Sequence, residues 1–355
     1  MLIDYNELLG AATRIVAAGG SGAEEARLVA NHLVEANLRG HDSHGVGMLP
    51  RYVQNLKGGT LVPNRRGRAL REDGAIIVYD GERGYGQVVA REATLRGIAR
   101  ARESGVAVVA LRNAHHIGRV GTYGEICAEA GLVSVHFVNV HGHKPLVAPH
   151  RGRDGRLSTN PVCVAVPAAE AGRPVILDMA TSKVAMGKVR VAKNEGKRLA
   201  EPVVLDAEGR PSTDPEVMFR EPRGAILPFA EHKGYALAFI CDLLAGAIAG
   251  GGTLRPENQA PETITNCMLA FILDPGRIAD RAWIDQEIRA ITAFVTASLP
   301  RKADEPVLIP GDPERLSRER RMREGIPMDD TTWGELVAAA KSLGVALARP
   351  KGAAA

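Results

Sequence analysis

Residues 75–140 read AIIVYDGERGYGQVVAREATLRGIARARESGVAVVALRNAHHIGRVGTYGEICAEAGLVSVHFVNV, and this stretch decides the fold. Ala75–Tyr79 is a short apolar run rich in β-branched residues and predicts a strand. Gln87–Glu103 predicts a helix, Val106–Arg112 a strand, Tyr123–Ala130 a helix and Val133–Val140 a strand. Strands that alternate with helices argue for an α/β domain, and taken alone they suggest a doubly wound sheet. Gly81–Gly86 carries three glycines but reads as a loop, because no G-x-G-x-x-G stands between a strand and a helix with an acidic residue about twenty positions on.

Outward from this stretch, Val162–Val166 and Val175–Leu177 predict further strands and Thr181–Lys193 a helix. The apolar run Tyr235–Gly250 belongs to a long helix from about Lys233 to Ile248; it carries Asp242, is too short to span a bilayer, and reads as a buried helix. On the N-terminal side, Ser21-Gly22-Ala23-Glu24 has the form of a capping box ahead of an amphipathic run with Leu28, Val29, Leu33, Ala36 and Leu38 inward. Residues 1–74 are expected to be a helical region that packs with the C-terminal part. Residues 75–305 are expected to be the α/β region, and 306–355 a wrap and final helix at Trp333–Ser342.

Of the 355 residues, 45% are hydrophobic, 24% charged and 4% aromatic, the composition of a globular protein. So few aromatics weigh against stacking on single-stranded bases. The net charge of +4 is mild; the denser basic runs, Arg65–Arg71 and Arg315–Arg323, read as solvated faces rather than a nucleic-acid groove. Cys127, Cys163, Cys241 and Cys267 are far apart and predict free thiols in a reducing, cytoplasmic compartment. No signal-like or membrane-spanning segment is expected.

Three junctions join a strand end or loop, small residues and a helix start, where free N–H groups and the helix dipole suit a phosphate. They are Val109–Gly121, Ile176–Lys183 and Glu231–Tyr235; in the second, Thr181 and Ser182 are placed to cap a helix. Ser/Thr caps and glycine turns also open most helices, so each junction alone is a weak signal. The histidines are a stronger one: six of the ten fall between His115 and His150, and His41-Asp42-Ser43-His44 holds two more. Imidazole exchanges a proton near neutral pH, as reduction of a carbonyl requires. Asp42 is placed to orient a ring. His32, His136, His150 and His143 read as surface or satisfied core residues. His41, His44, His115 and His116 could instead supply metal nitrogens for a hydrolase, but no H-E-x-x-H, nearby cysteine or acidic cluster accompanies them, and no metal is expected.

At these residues the chain resembles the type-2 malate/L-lactate dehydrogenase family, which is unrelated to the Rossmann-fold lactate dehydrogenases. The stretches that carry the resemblance are LRGHDSHGVGMLPRYV (38–53), GYGQVVAREA (84–93), ALRNAHHIGRVGTYGE (110–125), STNPVCVAVP (158–167), ILDMATSKVAMGK (176–188), EHKGYALA (231–238), IPGDPE (309–314) and GIPMDD (325–330). The resemblance implies an α/β fold with a mixed-sheet, non-Rossmann dinucleotide-binding domain, helical N- and C-terminal parts, and a homodimer. It implies NAD- or NADP-dependent interconversion of 2-oxo and 2-hydroxy acids, with His44 or His116 transferring the proton. Ser43, Met48 and Asn160 would line the substrate pocket. His44, Gly118, Arg119, Val120, Asp178, Met179, Ala180, Thr181, Ser182, His232, Lys233, Asn266, Pro310, Gly311 and Asp312 would contact the dinucleotide. Many relatives carry arginine where Met48 stands, and there it is thought to hold the substrate carboxylate. Within the family, Met48 with Gly47, His115–Arg119, Ala148–Asp154 and Asn266-Cys267-Met268 point to the hydroxycarboxylate dehydrogenases. Substrates of the phenylpyruvate, hydroxyphenylpyruvate or 2-oxoglutarate type are then expected ahead of malate, L-lactate or ureidoglycolate. Arg51, Arg119 and Lys144 are candidate replacements for the absent arginine. A dinucleotide-binding protein without catalysis is the remaining reading, and the two retained histidines argue against it.

Overall fold

The computed structural model describes residues 1–169, 173–259 and 263–350. Its centre is a seven-stranded sheet in the order β2-β3-β4-β11-β5-β6-β7. The strands are β2 (Arg68–Asp73), β3 (Ile76–Asp80), β4 (Val106–His115), β5 (Val133–His141), β6 (Val162–Val166), β7 (Val175–Met179) and β11 (Thr265–Leu273). Only β3 and β4 run parallel, joined by α4 (Gly86–Ser104); the other five pairings are antiparallel. The sheet is therefore mixed, and the doubly wound arrangement suggested by strand-helix alternation does not form. The reason is β11, which inserts between β4 and β5 and hydrogen-bonds to both.

Helices α4 and α5 (Gly121–Glu129) cover one face of the sheet with Val89, Ala93, Ala101, Tyr123 and Cys127 against Val109, Leu111, Val138 and Met268. Gly97 is needed for this contact, because a Cβ there would lie 2.6 Å from Val109 and Ile272 side-chain atoms. On the other face, Leu244 and Ala249 pack against Ala110 and Leu269. Both faces of β4 are covered, which is why Val106–Leu111 is an unbroken apolar run. All four cysteines are buried and free.

A second core joins the two ends of the chain. Helices α1 (Tyr5–Ala18), α2 (Ala23–Leu38) and α3 (Leu49–Lys57) contribute Leu8, Ile15, Val29, Leu33, Leu38, Leu49 and Val53, while α10 (Asp330–Lys341) contributes Trp333, Leu336 and Ala340. The short strands β1 (Leu2–Ile3) and β12 (Ile326–Pro327) pair antiparallel beside this core. Gly22, not Ser21, is the N-cap of α2; Ser21 instead donates to Glu25 at 2.6 Å, so the expected capping box does not close. A third, smaller core lies under the three-stranded sheet of β8 (Val204–Leu205), β9 (Pro211–Ser212) and β10 (Ala225–Ile226), against α6 (Met186–Asn194).

The apolar helix α7 (His232–Cys241) continues into a wider π-helical stretch, Asp242–Ile248. It is not the buried helix that its composition predicts: Phe239, Ile240, Leu243 and Ile248 are exposed. Helix α8 (Arg281–Thr296) buries no side chain at all, and Trp283, Ile291 and Phe294 stand in solvent on it. No described helix is long and apolar enough to cross a membrane.

Candidate active site

One cavity of about 1000 Å³ opens between the helical core and the C-terminal ends of β4 and β7. That is the upper end of the usual range for ligand sites, roughly 300–1000 Å³. Its wall joins segments that are remote in sequence: the turn 41–44, Met48 just before α3 and Arg51 on it, residues 116–120 after β4, Asp178, Ala180 and 182–188, and Pro313, Glu314 and Ser317 on α9 (Asp312–Glu324).

His44 and His116, which come from different cores, meet here. Their rings stack at 15° with centroids 5.3 Å apart, and His44 Nδ1 lies 3.2 Å from His116 Nε2. His116 Nδ1 is 2.6 Å from the Tyr52 hydroxyl, which also accepts a hydrogen bond from Gln87 Nε2 at 2.7 Å. Both nitrogens of His116 are thus engaged, whereas His44 Nε2 has no protein partner among the described residues and His44 lines the cavity. Burial lowers the His44 pKa to about 4, helped by His41 and Arg119 and opposed by Asp178. Burial lowers the pKa of His116 as well, with His44, His115 and His32 adding to the effect. Both rings are neutral at pH 7. Gly86 permits this closeness: a Cβ there would fall 2.1 Å from the His115 carbonyl oxygen and 2.4 Å from that of His116.

The turn that carries His44 is fixed from behind. Asp42 receives two hydrogen bonds from Arg321 on α9, at 2.7 and 3.1 Å, and one from Asn37 at 2.7 Å. It therefore anchors the backbone and does not orient an imidazole, as its neighbours in sequence had suggested. Gly187, at the start of α6, lets that helix approach Ser43, where a Cβ would be 2.5 Å from the serine Cβ. His41 pairs with Glu314 at 3.2 Å, and His115 with Asn55 at 2.8 Å. Among the described residues no group of His, Cys, Asp or Glu could hold a metal ion.

Of the expected cofactor contacts, Gly118, Arg119, Val120, Asp178, Ala180, Ser182 and Asn266 line the cavity with His44; Ser43 and Met48 line it too. Several of these build the wall rather than offer a ligand group. Arg119, 1% exposed, is locked between Glu125 (3.0 Å) and Asp178 (3.5 Å), and Asp178 also takes the Gly121 N–H at 2.8 Å. Asn266 accepts from Ile117 N–H and donates to the Asn139 carbonyl. Among the described residues the N–H groups of Gly118 and Val120 find no acceptor, so two amides of cavity-lining residues at this helix start are available to an anion. Thr181 does not cap a helix, because α6 begins only at Met186; its hydroxyl donates to the carbonyls of Thr159 and Asn160. Ser182 likewise bonds to the Val184 carbonyl.

Asn160 is fully buried behind the wall and donates to the Ala238 carbonyl, while Met179 and Thr181 are also outside the lining. His232 and Lys233 are exposed at the start of α7, and Pro310, Gly311 and Asp312 pack on β7 beside the cavity rather than in it. The structure adds residues that sequence reading passed over: Tyr52, Gln87, Arg39, Lys183, Lys188, Arg190, Arg223 and Phe219. His143, read from sequence as a surface or core histidine, is also in the wall.

The family model for malate/L-lactate dehydrogenase matches residues 3–337. The chain belongs to the malate/L-lactate dehydrogenase family. Among relatives of this dehydrogenase-family chain, hydroxycarboxylate dehydrogenase B of Escherichia coli is 45% identical over 328 residues, 92% of this chain and 90% of that one. An L-lactate dehydrogenase of Cupriavidus necator is 38% identical over 333 residues, 94% of this chain and 95% of that one. A solved Escherichia coli structure, described as a candidate malate/lactate dehydrogenase, superposes with a TM-score of 0.93 at 43% identity, covering 97% and 96% of the two chains. The mixed seven-stranded sheet is that of these dehydrogenase-family structures, and the chain is an oxidoreductase of the hydroxy-acid class.

Proposed function

We propose that this chain catalyses NAD(P)H-dependent reduction of 2-oxo acids to 2-hydroxy acids, and the reverse, with His44 as the group that transfers the proton. The observation that carries the reading is the stacked pair: His116 has both nitrogens tied, and His44, which lines the cavity, keeps Nε2 without a protein partner among the described residues. The dinucleotide, NAD or NADP, supplies or accepts the hydride when bound. The fit is favourable: the cavity has the size, the Gly118 and Val120 amides suit a phosphate, and Lys183 and Lys188 add positive charge to the wall. In reduction, His44 first takes up a proton from solvent, hydrogen-bonds the oxo oxygen as the imidazolium and gives it that proton as the carbonyl carbon is reduced, returning to the neutral ring; in oxidation the neutral ring takes the hydroxyl proton and passes it to solvent. His116 holds His44 in position. Ser43 and Met48 line the substrate end.

Met48, Val140, Leu146, Met186, Phe219 and Ile264 make part of the wall apolar, which suits the tail of an aryl-pyruvate better than that of malate. Of the candidate carboxylate partners, Arg119 is sealed in its ion pairs and Lys144 pairs with Glu221 at 3.0 Å. Arg51, which lines the cavity one helical turn from Met48 and donates to Gln54 at 3.2 Å, is assigned the carboxylate as a further contact, with Arg223 facing the same His143. The test is oxidation of NADH and NADPH by the purified protein across a panel led by phenylpyruvate, hydroxyphenylpyruvate and 2-oxoglutarate. Absence of turnover with every oxo acid and either cofactor refutes the proposal.

The exposed apolar faces of α7 and α8 support a homodimer, because residues such as Phe294 (79% exposed) and Trp283 (57%) gain only if covered. Sedimentation as a monomer at micromolar concentration would contradict it. Four free buried thiols support a reducing, cytoplasmic setting.

A further inference from the structure

Four side chains form a line from the interior to the cavity: Gln87, Tyr52, His116 and His44. Gln87, on the first turn of α4, is fully buried. Its Nε2–H donates to the Tyr52 oxygen, so the single phenolic hydrogen is directed at His116 Nδ1. A neutral imidazole has one N–H and one lone pair. His116 then carries its hydrogen on Nε2 and donates to His44 Nδ1, and His44 carries its own on Nε2, at the cavity.

We infer that Gln87 is a positioning residue that sets the direction of this line, and with it whether His44 shows the substrate an N–H or a lone pair. Half a turn of the amide would put Oε1 against Tyr52 and reverse every bond. Tyr52 would donate to Gln87, His116 Nδ1–H to Tyr52, and His44 Nδ1–H to His116, leaving a lone pair on His44 Nε2. The first direction suits a carbonyl oxygen, which accepts; the second suits a hydroxyl, which donates, and it also admits a doubly protonated His44. The two orientations are close in cost, because each leaves one amide atom without a partner: Oε1 is the buried orphan here, and Nε2 would be in the other. The charged and titratable neighbours do not choose between them. His44 faces His41, Arg119 and Asp178; His116 faces His115 and His32; and Arg51 acts on His115. The one carboxylate among these, Asp178, is committed to Arg119 and the Gly121 N–H.

The consequence for turnover rests on the proposed dehydrogenase reading, but the hydrogen positions do not, and the experiment reads those directly. The full-length protein, labelled with ¹⁵N-histidine, is examined by long-range ¹H–¹⁵N spectra, with His44 and His116 assigned from single His→Gln variants. The wild type is expected to show both rings as Nε2–H tautomers. Gln87→Glu, an acceptor of the same shape, is expected to turn both into Nδ1–H tautomers or the doubly protonated form. Gln87→Met is expected to leave mixed tautomers and to lower kcat about tenfold in both directions, short of the roughly 10²–10⁴ a proton-transferring group itself contributes. Wild-type rings carrying Nδ1–H overturn the inference even if neither variant folds. So do tautomers that stay the same in Gln87→Glu and Gln87→Met as in the wild type. Correct tautomers without oxo-acid turnover would leave this inference standing and remove the proposed reaction.

Discussion

Replacing Tyr52 by phenylalanine removes one oxygen and leaves the ring. The ring is buried and edge-on to Tyr85 and His115, with centroids 6.0 and 5.1 Å away, so its packing survives. What disappears is the acceptor of Gln87 Nε2 and the donor to His116 Nδ1, both in the interior. Each buried polar group left unpaired costs about 1–3 kcal/mol, and removing the buried hydroxyl itself returns about 1–3 kcal/mol. The net is a loss of about 1–3 kcal/mol in stability. Freed from its anchor, His116 can carry its hydrogen on either nitrogen, and the orientation of His44 loosens with it. A drop in kcat of roughly 10- to 100-fold is expected, at or below the smallest contribution of an acid–base group itself, about 10²-fold, with the dissociation constant for the cofactor within a few-fold. The assay is oxo-acid-dependent loss of NAD(P)H absorbance, with urea unfolding of the same preparation. A Tyr52→Phe protein with wild-type kcat and an unchanged unfolding midpoint would refute the argument that this hydroxyl braces the imidazole pair.

Asp178→Ala is expected to destabilise the fold by about 1–3 kcal/mol, since it leaves the Gly121 N–H without its acceptor and the buried Arg119 guanidinium with Glu125 alone; a chemical-denaturation midpoint equal to that of the wild type would count against the wall-building role. Arg51→Leu should raise the KM for oxo acids by about 10- to 100-fold, the scale of a lost charge-assisted hydrogen bond, and leave the KM for the cofactor nearly unchanged. An equal rise for both would move the carboxylate site elsewhere. Stability should also fall on acidification. Burial holds His32 and His115 near pKa 3 and His136 near 4, below the 6.5 of an unfolded chain. Below pH 6.5 the unfolded state therefore binds protons that the folded state refuses, and the stabilisation is present above 6.5 and lost as pH falls toward 4. Melting temperature measured from pH 8 to pH 4 checks this, and a flat profile down to pH 5 would contradict it.

The strands were legible because β-branched apolar runs of five to ten residues cannot hide, and Val162–Val166 appears at its predicted bounds. Their order was not. Nothing local to β11 announces that it will enter between β4 and β5, since the pairing is set by hydrogen bonds between segments far apart in sequence. The Thr181–Lys193 expectation puts a helix start at a Thr-Ser pair, but the Thr181 hydroxyl is spent on two backbone carbonyls and the helix begins only at Met186. The apolar run of α7 was read as interior because composition cannot say whether the covering surface lies in the same chain. In the site, the histidines stood out by number, and structure brings His44 and His116 together. Tyr52 and Gln87 gave no signal, as a Tyr on an amphipathic helix and a Gln at a helix start are ordinary core and cap residues. Asp42 misled because adjacency in sequence says little about where a carboxylate points.

In the proposed reaction an imidazole of the 41–44 turn moves a proton at the cavity. Single-turnover reduction of phenylpyruvate by the NAD(P)H-loaded protein, wild type against His44→Ala, measures that step apart from substrate binding and product release. A loss of at least about 10²-fold in the hydride-transfer rate, with cofactor affinity within a few-fold, is the predicted result. Hydride transfer at the wild-type rate in His44→Ala would contradict it.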